Sequence, residues 1–81
     1  MTYIVFGKEN CNYCTLAKAL LDNNDIDYSY KDVTDENEMK LLLDLAEVTG
    51  VVVKSVPQIF IAQDYQYTHI GGYKELSETL K

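Results

Sequence analysis

The stretch Thr2–Leu21, TYIVFGKENCNYCTLAKALL, decides the fold. It opens with an apolar and aromatic run, Tyr3–Phe6, that stops at Gly7, and such a run is typical of a buried strand. A short polar loop leads to Cys11 and Cys14, and from Cys14 onward apolar residues recur every three or four positions, as in an amphipathic helix. We therefore predict a strand that passes directly into a helix, with two cysteines at the junction.

Hydrophobic periodicity predicts five further elements downstream. We expect a strand over Tyr28–Val33 and a second helix that starts after Thr34–Asn37 and is closed by Gly50. The inner face of that helix is predicted to carry four apolar residues, Met39, Leu42, Leu43 and Ala46. Val51–Val53 is interpreted as an extended link. Two strands, residues 58–62 and 65–70, are expected to form a hairpin around Gln63 and Asp64, before a final helix over residues 73–81 that turns Leu76 and Leu80 inward.

The resulting element order is βαβαββα. Strands separated by helices pair in parallel, and a closing hairpin adds an antiparallel edge. At 81 residues and 9.2 kDa, the chain is expected to form one domain over residues 1–81. The predicted fold class is α/β, with a four-stranded mixed sheet flanked by three helices.

Composition and charge exclude several classes of function. The chain has 7 Lys+Arg and 13 Asp+Glu, a net charge of −6, and an acidic chain without a basic cluster is not expected to bind nucleic acid. It has no room for a second domain that binds NADPH or a flavin, so redox chemistry would need an outside electron source. We expect neither a secretion signal nor a membrane span, expect no membrane partner, and predict a cytoplasmic location.

The two cysteines form a Cys-x-x-Cys motif at a helix start. Free N–H groups and the helix dipole stabilise a thiolate there, so Cys11 is the expected nucleophile and Cys14, on the apolar side of the helix, the buried resolving thiol. Three alternatives compete: a zinc site, which would lack ligands; a structural disulfide, which would close a very small loop; and coincidence. Redox function is favoured because cytosolic thiols are normally kept reduced.

At this point the chain resembles a short dithiol glutaredoxin of the kind found in bacteria and phages. Four segments carry the resemblance in the family's order, namely Phe6–Lys8, Cys11–Cys14, Ser55–Ile61 and His69–Tyr73. The resemblance implies a thioredoxin-like fold and a glutathione-dependent thiol–disulfide oxidoreductase. Glutathione would be a co-substrate, with no cofactor bound permanently and no metal.

The resemblance also implies a glutathione site. Pro57 would be cis, although from sequence alone it could simply start a strand, and Val56 would pair with the glutathione backbone. The γ-glutamyl end would lie at the glycine pair and the two residues after the next aromatic, with a tyrosine over the reactive sulfur and lysines nearby. The implied ligand-binding residues are Lys8, Tyr13, Val56, Pro57, Gly71, Gly72, Lys74 and Glu75. Lys54 is a weaker candidate, and His69 is expected to be structural.

Two departures from the family pattern bear on the site. Asn12 replaces the usual proline after the first cysteine, and we expect its side chain to cap the helix. Glu75 replaces the more usual Asp, which keeps the charge on a longer arm.

Several alternatives stay open. Glutaredoxins that lack the proline sometimes hold a [2Fe–2S] cluster between two subunits, so an iron–sulfur carrier is one alternative, and a redoxin recharged by thioredoxin reductase is another. By resemblance, the partners are glutathione and disulfide-containing client proteins, with ribonucleotide reductase a common client of the family. We expect a monomer.

Overall fold

The computed structural model describes residues 1–81 and contains seven regular elements in the predicted βαβαββα order. The strands are β1 (Thr2–Gly7), β2 (Tyr28–Asp32), β3 (Gln58–Gln63) and β4 (Gln66–Gly71). The helices are α1 (Asn12–Asn23), α2 (Glu36–Thr49) and α3 (Tyr73–Thr79). None of these helices combines the length and apolarity needed to cross a membrane.

The four strands form one mixed sheet in the order β2-β1-β3-β4. β1 pairs in parallel with β2 and antiparallel with β3, and β3 pairs antiparallel with β4. The mixed four-stranded sheet is thus confirmed. Because Phe6 pairs with Gln58, the end of β1 that leads to the cysteines lies beside the start of β3, just after Pro57. This register brings two distant segments of the chain together at one end of the two central strands.

The core lies on both faces of the sheet because successive strand residues point to opposite sides. On one face, Val5 and Ile59 pack with residues of α1 and α3, including Leu21 and Leu76. On the other face, five buried residues form a second cluster with α2: Phe6, Val33, Leu42, Leu45 and Phe60. The rings of Phe6 and Phe60 meet edge to face, 5.8 Å between centroids. The three helices therefore flank the sheet as predicted, two on one side and one on the other.

The inner face of α2 differs from the prediction in one residue. Leu43 is 53% exposed, whereas Leu45 is buried beside Leu42 and Ala46. The helical period explains the error, since positions three and four beyond Leu42 share its face while Leu43 lies about 100° around the axis. The ends of α2 agree with the predicted signals, because the Asp35 side chain accepts hydrogen bonds from the first turn and Gly50 closes the helix at φ 74°.

The β3–β4 hairpin turns one residue later than predicted. Gln63 pairs with Gln66, so the two turn residues are Asp64 and Tyr65, both with positive φ, 52° and 64°. Two positive φ angles match the twist that two-residue hairpins require. Tyr65 is therefore in the turn, β4 runs on to Gly71, and α3 ends at Thr79 before the predicted C-terminal residue.

Candidate active site

Cys11 and Cys14 are joined in a disulfide at the start of α1. Cys11 is the N-cap residue, with an extended backbone, and its Sγ accepts a hydrogen bond from the Cys14 backbone N–H at 3.2 Å. Cys11 is half-buried, whereas Cys14 is only 1% exposed. The two sulfurs therefore differ in access, and the accessible one lies where the helix dipole and a free N–H favour negative charge.

The expectation that Asn12 caps α1 is wrong. Asn12 is the first residue inside the helix, and the capping atom is the sulfur of Cys11. An N-cap side chain must precede the helix to reach the N–H groups of its first turn, and Cys11 holds that position. The reactive sulfur and the helix cap are thus the same atom.

The segment before β3 lies against the reactive sulfur. The Val56–Pro57 peptide bond is cis, as the resemblance implies. The carbonyl oxygen of Val56 lies 3.9 Å from Cys11 Sγ. The backbone of Val56 therefore borders the disulfide, in the place where an extended peptide could pair with it.

A cleft of about 240 Å³ opens beside this segment. It is lined by residues from the α1 start, the loop before β3 and the α3 start: Tyr13, Ser55, Val56, Pro57, Gly72, Tyr73, Lys74 and Glu75. All but two of the predicted ligand-binding residues line this cleft, the exceptions being Lys8 and Gly71. Ser55 and Tyr73 were missed by the sequence analysis. The signal for Tyr73 was its place as the aromatic after the glycine pair.

Two tyrosines frame the mouth of the cleft. The rings of Tyr13 and Tyr73 lie 6.0 Å apart between centroids at an interplanar angle of 30°. Tyr13 is 61% exposed. Such a half-exposed aromatic pair can cover the apolar part of a ligand beside Cys11 while the polar ends stay in water.

The glycine pair shapes the start of α3. Gly71 has φ +127°, and a Cβ there would lie 2.8 Å from Glu75 Cγ. The backbone N–H of Gly72 donates to Glu75 Oε1 at 2.8 Å. This hydrogen bond is the main reason that the pKa of Glu75 lies below its ordinary value. Glu75 is therefore an ionised group at the edge of the cleft, next to Lys74.

Lys8 and Lys54 lie on the other side of Val56. They line a second cleft, of about 260 Å³, whose other walls are mostly apolar: Val33, Met39, Leu42, Val53, Ser55 and Val56. The two clefts share Ser55 and Val56. Positive side chains therefore flank Val56 on both sides, with Lys74 on one and Lys8 and Lys54 on the other.

His69 lines neither cleft. Its Nε2 lies 2.7 Å from Gln58 Oε1, and Gln58 Nε2 donates to the Ser55 carbonyl at 2.8 Å. Burial lowers the pKa of His69 below its ordinary value, an effect that the charge of Glu75 partly opposes. The histidine is thus linked through Gln58 to the loop before β3.

Comparisons with known proteins point to one family. The sequence model of the glutaredoxin family matches residues 3–66. Glutaredoxin 1 of Escherichia coli is 36% identical over an 86-residue alignment that covers all of this chain and 94% of that protein. A glutaredoxin of Haemophilus influenzae is 35% identical over all of this chain and 92% of its own length.

Solved structures give the same result. The solution structure of reduced Escherichia coli glutaredoxin has a TM-score of 0.70 and 39% identity, covering 99% of this chain and 93% of that one. Glutaredoxin 1 of Francisella tularensis, solved with cacodylate, has a TM-score of 0.73 and 27% identity over 98% and 91% of the two chains. A buckwheat glutaredoxin solved with glutathione has a TM-score of 0.74 and 28% identity, covering 96% of this chain and 66% of that one.

Proposed function

The chain belongs to the glutaredoxin family, and on that premise we propose that it reduces protein disulfides and glutathione mixed disulfides with glutathione as the electron donor. It is a thiol–disulfide oxidoreductase with a redox-active cysteine pair. The observation that carries the proposal is the unequal placement of the two sulfurs. Cys11 Sγ caps α1 beside the carbonyl of Val56, which lines the cleft, and Cys14 is buried behind it.

The proposed cycle starts from the reduced pair. The Cys11 thiolate attacks one sulfur of a client disulfide, forms a mixed disulfide and releases the first client thiolate. The Cys14 thiolate then attacks Cys11 Sγ, which releases the second client thiolate and leaves the internal disulfide. For glutathione mixed disulfides, Cys11 alone suffices.

Two glutathione thiolates restore the dithiol. The first attacks Cys11 Sγ, which is the accessible sulfur, and Cys14 leaves as a thiolate. The second attacks the glutathione sulfur of that mixed disulfide, so that Cys11 leaves as a thiolate and glutathione disulfide is released. Two electrons pass from two glutathiones to one client disulfide in each cycle.

We assign glutathione to the cleft lined by Tyr13 and Tyr73. Its cysteinyl backbone would pair with Val56, next to cis-Pro57, because the Val56 carbonyl already lies beside Cys11 Sγ. The charges of the γ-glutamyl end match the α3 start, with the Lys74 ammonium for its carboxylate and the Glu75 carboxylate for its ammonium.

The remaining predicted residues have supporting roles in this proposal. Gly71 and Gly72 leave the backbone open to close approach where the γ-glutamyl end would lie. Lys8, in the second cleft, would attract the other carboxylate of glutathione from across Val56. The proposed clients are disulfide-containing proteins, with ribonucleotide reductase the first to test, and the proposed setting is a monomer in the cytoplasm.

Single cysteine variants test the assignment of the two sulfurs. Cys11→Ser is expected to abolish exchange with a glutathionylated peptide. Cys14→Ser is expected to retain it and to lose only the reduction of protein disulfides that needs a resolving thiol. The rates are measured by coupling glutathione disulfide formation to glutathione reductase. Activity retained in Cys11→Ser would refute the choice of nucleophile, and activity with thioredoxin reductase but not with glutathione would refute the choice of donor.

A further inference from the structure

The hydroxyl of Tyr30 lies beside the buried sulfur of Cys14. Tyr30 is in β2, paired with Val5 of β1, and its side chain packs against the core cluster beneath α1. In the disulfide form, the Tyr30 hydroxyl donates a long hydrogen bond of 3.4 Å to the Lys8 carbonyl. No step of the cycle described above uses this residue.

Gly7 provides the space between the two groups. A Cβ on Gly7 would lie 2.7 Å from the Tyr30 hydroxyl oxygen and 2.9 Å from Cys14 Sγ. The oxygen and the sulfur therefore cannot be farther apart than the sum of these two distances. A glycine at the end of β1 lets a phenol approach a sulfur that is almost fully screened from water.

The surroundings of Tyr30 keep its proton in place. Burial raises the pKa of its phenol above the ordinary value, and the negative charges of Asp32 and Glu9 add to this effect. From α1, the Lys18 ammonium lies 4.2 Å above the ring centroid. Tyr30 is therefore a neutral O–H donor near physiological pH, held in position by a cation–π contact on one ring face.

We propose that Tyr30 donates a hydrogen bond to the Cys14 sulfur whenever Cys14 becomes a thiolate during the proposed glutathione cycle. The inference rests on that function, since it concerns the resolving step. Cys14 is 1% exposed, so the thiolate that leaves when glutathione attacks Cys11 gains little from water. A buried anion without a donor is costly, and the Tyr30 phenol supplies one if it moves from the weakly bound Lys8 carbonyl towards the sulfur.

The step balances without a further reactant. Glutathione thiolate attacks Cys11 Sγ, the Cys11–Cys14 bond breaks, and its electron pair stays on Cys14 Sγ. The Tyr30 O–H donates to that sulfur and keeps its proton, and the thiol later forms with a proton from solvent. In the reverse direction, the same hydrogen bond stabilises the Cys14 thiolate that attacks a mixed disulfide on Cys11.

Tyr30→Phe removes the donor and keeps the ring. Because a hydrogen bond to a charged group contributes about 1.5–3 kcal/mol, equivalent to a factor of about 10 to 150, we expect reduction of the internal disulfide by glutathione to slow by that factor. The rate is followed by rapid-mixing kinetics. Tyr28→Phe is the matched control, since Tyr28 is two residues away in β2 and its phenol lies near Asp22 instead. That variant should keep the wild-type rate.

A double-mutant cycle and a pH titration distinguish this role of Tyr30 from a general destabilisation of the fold. In a Cys14→Ser background, exchange at Cys11 produces no Cys14 thiolate, so the effect of Tyr30→Phe should disappear. In a Cys11→Ser background, the alkylation rate of Cys14 against pH should shift to higher pH on adding Tyr30→Phe.

A measurement on the unmodified chain covers the case in which Tyr30→Phe does not fold. With tyrosines labelled at the ring carbon bearing the hydroxyl, the Tyr30 resonance should move in the reduced protein across the pH range in which Cys14 ionises, and stay constant there in the oxidised protein.

Three results would overturn the inference: Tyr30→Phe slowing the step no more than Tyr28→Phe, a slowing that persists in the Cys14→Ser background, or a Tyr30 resonance that does not follow Cys14. A wild-type protein that glutathione cannot reduce would instead refute the proposed function.

Discussion

Replacing Gly71 by alanine is expected to destabilise the protein by about 2–4 kcal/mol. Gly71 ends β4 immediately before α3 and has φ +127°, a backbone conformation that residues with a Cβ rarely adopt. An added Cβ would also lie 2.8 Å from Glu75 Cγ and 2.9 Å from Glu75 Cβ. The substitution therefore combines backbone strain with crowding against the residue that caps α3.

The magnitude follows from these two effects. An unfavourable φ costs of order 1–3 kcal/mol, and overpacking typically costs about a further 1–3 kcal/mol. The overpacking cost is partly reduced here because Glu75 Cγ can move away from the added Cβ, although Glu75 Cβ cannot. A domain of this size has a stability of roughly 4–12 kcal/mol. The expected loss is thus a large fraction of the total and corresponds to a fall in Tm of roughly 10–25 °C.

Two other glycines separate the two effects. Gly50 has φ +74° with no atom within 4 Å of an added Cβ, so Gly50→Ala should show the backbone cost alone, about 1–2 kcal/mol. Gly72 has φ −97°, and its added Cβ would make ordinary contacts at 3.5 and 3.6 Å, so Gly72→Ala should change stability by about 0.5 kcal/mol or less.

Urea unfolding followed by far-ultraviolet circular dichroism measures all three variants. The m-value should not change, so that differences in midpoint report stability. If Gly71→Ala lost no more stability than Gly50→Ala, the crowding against Glu75 would be absent and the reasoning about the β4–α3 junction would fail. If Gly72→Ala lost as much as Gly71→Ala, the distinction by φ would be wrong.

Three further predictions address the cap of α2, the half-buried histidine and the ligand site. Asp35→Ala should cost about 1 kcal/mol in urea unfolding because two N–H groups lose their acceptor, whereas Asp35→Asn should lose less, and equal losses would contradict the capping role. Burial lowers the pKa of His69, so between the two pKa values the unfolded chain binds a proton that the folded chain does not, and stability should fall as pH decreases from about 6.5 towards the lower folded pKa. His69→Gln should reduce the slope of stability against pH in this range, and an unchanged slope would refute the assignment to His69. Lys74→Ala should raise KM for glutathione about two- to fivefold with little change in kcat. The control Lys40→Ala, which alters an exposed lysine, should leave KM unchanged, and equal KM values in the two variants would show that Lys74 does not belong to the site.

Local patterns were sufficient for most of the fold. The apolar run before Gly7 and the three-to-four spacing after Cys14 each depend on neighbours along the chain, and both elements formed where expected. The errors arose where local signals were ambiguous. The hairpin turn moved to Asp64 and Tyr65 because strand pairing, which is a long-range property, decides the register.

Local sequence patterns were likewise sufficient for some features of the candidate site and not for others. The position of Cys11 at a strand-to-helix junction was sufficient to predict which cysteine is accessible, and the fold bears this out. Asn12 was misassigned because a cap depends on where the first helical residue lies, and predicted helix boundaries are uncertain by a few residues. Tyr73 was missed because its partner, Tyr13, is 60 residues away in the chain.

The sequence by itself determined the element order, the unequal cysteines and the family, because these depend on periodicity and on short motifs. Only the tertiary structure decided what faces the cysteines from other elements. It placed the Val56 carbonyl against Cys11 and the Tyr30 hydroxyl beside Cys14, in the space left by Gly7. Such contacts depend on sheet order and packing between segments distant in the chain, which no local pattern encodes.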